Sequence, residues 1–153
     1  RDTLREQLRE LRAPWIGCNA GRAMASIVKA DTDRQDMWTA IQHMRRVQAA
    51  YDRSMGAPNR HAQCLRLLAP VDAMEADATS PPLDTRSDEE RARQAVAAWM
   101  QVQGWLDHAK DAAGLCKRVV IDDDRCQDAA ALVRALLCVV DGIKGRKIVR
   151  RPA

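Results

Sequence analysis

The residues able to do chemistry in this chain are scattered. Cysteines stand at Cys18, Cys64, Cys116, Cys126 and Cys138, and histidines at His43, His61 and His108. Zinc requires Cys and His at short paired spacings, and none occurs here. Cys116, Cys126 and His108 come nearest to a cluster, and their spacing matches no metal motif. A nucleophilic thiol needs a positive setting and a base. Cys116-Lys117-Arg118 supplies the charge, but no histidine lies at local spacing. Asp122-Asp123-Asp124 offers oxygen ligands for a hard cation, yet adjacent residues point in different directions, and the glycine and distal glutamate of a calcium loop are missing. The run is better suited to a turn that caps the next helix. There is no nucleophile elbow, Walker loop or dinucleotide fingerprint. The expectation is a non-enzymatic protein with no catalytic residue, metal or cofactor.

Basic residues carry the remaining information. After Asp141 the chain has no acid and five cations: Lys144, Arg146, Lys147, Arg150 and Arg151. Lysine and arginine neutralise phosphates without reading sequence. Arg134 and the pair Lys117-Arg118 are expected to extend this patch. The net charge of +4 permits an anionic partner without demanding one. For a protein partner the candidate contacts are Trp15, Trp105, Arg45 and Arg46. Trp15 stands in a connector, Trp105 falls off the apolar stripe of its helix, and the arginines lie on an outward face.

These residues must be positioned by helices. The apolar set lacks Phe and is dominated by Ala, Leu, Val and Met, which favours helix over strand. Leu4, Leu8 and Leu11 share one face of a helix from Asp2 to about Ala13, ended by Pro14. So short a helix must pack its stripe on something. Asn19 is expected to cap a second helix to about Lys29. Thr32 to Gln35 fits a capping box for a long helix from Asp33 to Met55, with Met37, Trp38, Ile41, Met44, Val47 and Tyr51 inward and Arg34, Arg45, Arg46 and Arg53 outward. Gly56 and Pro58 stop it. A short helix follows from Asn59 to Leu68.

Ser87 to Glu90 is a second capping box. It opens a helix to about Ala109 with Val96, Trp99, Met100, Gln103 and Leu106 on one stripe, where Gly104 could let another helix approach closely. His43 and His108 are expected at the surface. Val119-Val120-Ile121 reads as a helix end or connector, because a lone strand has no partner. Asp128 caps the last helix, Ala129 to Val140, which is apolar around most of its girth and should be the most buried.

The fold class is therefore all-α, a helical bundle of about six to seven helices. Val71 to Arg86 is acidic, Pro-rich and aperiodic, and divides the chain into a subdomain over 1–70, a linker over 71–86, a subdomain over 87–142 and a basic tail over 143–153. The unpaired cysteines point to a reducing cytoplasm. No leader is visible, and no apolar run reaches the ~20 residues that span a bilayer.

The segment LCKRVVIDDDRCQDAAALVRALLCVVDGIKGRK, with WTAIQHMRRVQAAYDRSMGAPNRHAQCLRLL upstream, resembles the small helical proteins of alphaproteobacterial phages, prophages and gene transfer agents. The likeness rests on R-V-V-x-D-D and A-L-V-R-A-L-x-x-V-x-D-G-I. Some of those proteins are helix-turn-helix regulators, so the resemblance implies a regulatory or accessory role on DNA. The alternative is an adaptor or inhibitor that binds another protein, and a homodimer is compatible with either.

Overall fold

The computed structural model describes residues 2–57 and 85–149. The expected helix Asn59–Leu68, with His61 and Cys64, lies outside them, as do residues 71–84 of the expected linker and the tail's Arg150 and Arg151.

The chain is all-helical over the described residues: α1 (Asp2–Leu11), a 3₁₀ turn (Pro14–Gly17), α2 (Asn19–Ile27), α3 (Asp31–Ser54), α4 (Asp88–Asp107), α5 (Asp111–Ile121) and α6 (Ala129–Ile143). α6 is the hub and packs against α2, α3, α4 and α5. Its Leu132, Ala135, Leu136 and Val139 are fully buried, which is why this helix can be apolar almost all round. Around it close Met24 of α2, Met37, Ile41 and Met44 of α3, Val102 and Leu106 of α4, and Cys116, Val119 and Val120 of α5. Both flanks of the 58–84 stretch thus supply one buried cluster.

Some helix ends follow the expected chemistry. Ser87 Oγ accepts from the Glu90 N–H at 3.2 Å, with three acids over the first turn of α4. Asp128 Oδ1 accepts from the Ala131 N–H at 3.1 Å at the start of α6. Gly56, at φ +69°, lets the chain leave α3. The Val119-Val120-Ile121 run is the buried last turn of α5.

Other ends correct the expectation. Cys18 caps α2: its Sγ accepts from the Gly21 N–H at 3.3 Å. Asn19 instead reaches across the fold, its Nδ2–H donating to the Asp123 carbonyl at 2.7 Å and its backbone N–H to Asp123 Oδ1 at 3.0 Å. The aspartate run therefore ties the α5–α6 loop to the positive end of α2. Thr32–Gln35 is not a capping box, because α3 begins at Asp31 after an extended Ala30 that makes no side-chain cap. Gly21 is obligatory: a Cβ there would lie 1.9 Å from the Trp15 carbonyl oxygen.

The stripe of α4 is rotated from its expected position. Val96 and Met100 are exposed, while Ala98, Trp99, Val102, Trp105 and Leu106 face the core. Alanines on this face let α3 come close, a signal that a search for large apolar residues passes over. Gly104 has open space where its side chain would be, so it serves no close approach. The Leu4, Leu8 and Leu11 stripe of α1 is not packed: the helix has no buried residue.

Candidate functional site

The positive charges of the sequence divide into those the fold uses and those it leaves available. Arg34 belongs to the first group. It is 6% exposed, and its Nε–H and Nη2–H donate to the carbonyls of Val28 and Ala25 at 2.6 and 2.9 Å. It thereby satisfies the last carbonyls of α2, where a cation also suits the helix dipole. Arg45 does the same for α5, donating from Nε to the Val120 carbonyl at 2.9 Å, with Nη2 3.9 Å from Asp123. Two arginines expected on an outward face are thus fold fasteners, and Arg45 has little left to offer a partner.

The tail is likewise partly neutralised. Lys144 Nζ meets Asp36 of α3 at 2.5 Å, and Arg146 Nη2 meets the buried Asp141 at 3.0 Å. Its backbone N–H also donates to the Asp141 carbonyl at 2.8 Å, and Ile148 packs back on the core. Of the described tail cations, Lys147 is exposed and makes no ion pair among the described residues. Lys117 and Arg134 are half-buried and Arg118 is exposed. Arg134 on α6 and Lys144, which caps its C-terminus, are ten positions apart, roughly 15 Å along the axis at 1.5 Å per residue, so the expected patch is split.

The aromatic candidates are also committed. Trp105 is not an off-stripe surface ring. A Cβ on Gly142 would lie 2.2 Å from its Cδ2, so the indole occupies the notch that Gly142 leaves in α6. Its other neighbour is His43, at 6.0 Å between ring centroids. Trp15 is half-buried against the core. Trp99 stacks on Tyr51 at 4.4 Å and donates from Nε1 to Gln48 Oε1 at 3.1 Å, which locks α3 to α4.

Alongside that lock α3 and α4 line a cleft of about 870 Å³. Its floor is Val47, Ala50, Ala92, Ala95 and Ala98. Arg46 and Arg53 from α3, and Arg86 and Arg91 before and on α4, form its rim, with Asp88 the one acid among the described lining residues. Arg91 pairs with Asp88 and Arg86 hydrogen-bonds Gln94. Arg46 and Arg53 are exposed and make no ion pair among the described residues. At the inner end sits His43, whose Nε2 is buried without a hydrogen-bond partner. Burial and, secondarily, Arg46 hold its pKa below the ordinary value. The expectation of a surface histidine is corrected.

The cysteines do other work. Cys116 is fully buried, and that burial pushes its thiol up to about 12 despite the adjacent Lys117. It is a core residue and not an activated nucleophile. Burial raises Cys126 as well. Among the described residues, no group of His, Cys, Asp and Glu could hold a metal ion, and no helix is long and apolar enough to cross a membrane.

No protein-family model matches the chain, and neither a curated protein nor a solved structure matches it.

Proposed function

We propose that this chain is a non-enzymatic DNA-binding protein, regulatory or accessory in role and of the phage type its sequence resembles. The principal phosphate contacts are Arg46 and Arg53 at the α3–α4 cleft. One observation carries this reading: arginines from two distant stretches converge on one cleft, and its two α3 arginines have no acidic partner among the described residues. A guanidinium that the fold leaves unpaired is free to release counterions from a phosphate backbone. The apolar alanine floor suits the sugar side of a strand. The nearest rings, Tyr51 and Trp99, are stacked on each other and offer no platform for bases. The expected mode is backbone binding with little sequence preference. Lys117, Arg118, Arg134 and Lys147 then act as outlying contacts, and Lys144 and Arg146 as weak ones.

The experiment is fluorescence anisotropy of labelled duplex DNA across a salt series. The reading expects log affinity to fall with log salt at roughly 0.9 per phosphate contact, hence a slope near −2 or steeper. A flat salt dependence, or no binding at low salt, would contradict it.

A further inference from the structure

We infer that α1 docks a partner protein, and that it accepts an amphipathic helix whose apolar stripe is bordered by acidic residues. Leu4, Leu8 and Leu11 are 63%, 46% and 69% exposed, although they share one helical face. α1 is fastened to the body by Glu10, whose Oε1 lies 3.6 Å from Arg34. A ten-residue helix is too short to be stable in water by itself, so covering the leucines is what would stabilise it.

The charge pattern says what covers them. At 100° per residue, Arg5 and Arg12 border the leucines on one side, while Arg9 stands as far from them as Glu10. Thr3 and Gln7 border the other side. Glu6 and Glu10 lie away from the stripe, and Glu10 is turned to Arg34. No acid borders the apolar face. A second copy would set the arginine margin against itself when antiparallel, or against Thr3 and Gln7 when parallel, and gains no ion pair either way. DNA would meet the arginines and leave the leucines in water. Against a bilayer, three leucine side chains hold fewer carbons than one myristoyl chain, which alone binds marginally. A cavity of about 1120 Å³ beside α1 takes in Leu8, Arg12, Trp15 and Lys29, together with the acids Glu6, Glu10 and Asp31. That concavity fits a rod better than a plane.

The test uses the full chain and a labelled designed amphipathic peptide, with leucine at its a and d positions and glutamate at e and g, beside a twin carrying lysine at e and g. The glutamate peptide is expected to bind at least about tenfold tighter than the lysine twin. Leu8→Glu should abolish binding, and Arg5→Glu with Arg12→Glu should reverse the preference between the twins. None of these residues is buried, so circular dichroism and the melting midpoint of the variants should match the parent. Equal binding of the twins, or binding of neither, would overturn the proposal. So would self-association by light scattering, or sedimentation with anionic vesicles, that Leu8→Glu abolishes.

Discussion

The basic tail and the α3–α4 cleft make opposite use of positive charge. The tail is the most basic stretch of the sequence, yet Lys144 and Arg146 are drawn onto Asp36 and Asp141, and Ile148 holds the segment down. The cleft looks ordinary in sequence, because its arginines are interspersed with acids and alanines. In the fold, Arg46 and Arg53 emerge on its rim with no ion pair among the described residues. The density of charge along a chain therefore does not give its availability. What counts is whether the packing of helices brings an acid within reach.

The largest effect is expected where the two regions meet. Gly142 ends the core, begins the tail and seats the Trp105 ring that backs His43. Gly142→Ala places a methyl inside that ring, and overpacking of this kind should cost about 2–3 kcal/mol, read from urea unfolding. Next comes the cleft itself. Arg46→Glu with Arg53→Glu should weaken duplex binding about 30-fold at low salt and flatten the salt slope by roughly 1.8. Near-normal binding by that variant would end the comparison in the tail's favour.

His43 gives a pH test. Its folded pKa lies below the unfolded 6.5, so the unfolded chain takes up the proton first. Its contribution to stability is present above pH 6.5 and is lost as pH falls through the folded value. His43→Gln should remove that part of the acid sensitivity in thermal melts. A phosphate in the cleft would instead favour the protonated ring, so DNA binding should strengthen as pH drops below neutrality. A chain ending at Gly142 should keep its DNA affinity within about threefold, since the described tail offers one unpaired cation, Lys147. It should lose about 1–2 kcal/mol of stability with the Ile148 contact. The smallest effect belongs to Lys144→Ala. Its partly exposed pair with Asp36 should be worth about 0–1 kcal/mol in the same unfolding assay.

The helical architecture was legible because it is written in local chemistry. Composition favoured helix over strand, Ser87 and Asp128 announced two helix starts, Gly56 announced an end, and the all-round apolar character of Ala129–Val140 marked the central helix. The misjudged features depend on partners distant in the chain. Arg45 looks outward on a helical wheel, and nothing local reveals that the Val120 carbonyl waits 75 positions later. Asn19 looks like a cap until Asp123 takes both of its donors. The core face of α4 was misplaced because small residues define it: Ala98 and a glycine notch opposite Trp105 outweigh Val96 and Met100. The cleft was invisible for the same reason. Arg46 and Arg53 stand some 40 residues before Arg86 and Arg91, and only the antiparallel packing of α3 on α4 brings them together.

The most direct measurement is an NMR titration with duplex DNA that follows the arginine Nε–H resonances, the lysine side chains and the His43 ring in one sample. The expected result is that Arg46, Arg53 and His43 move first and furthest, while Lys144 and Arg146 hold their positions against Asp36 and Asp141. Perturbation of the tail with an unchanged cleft would contradict the account.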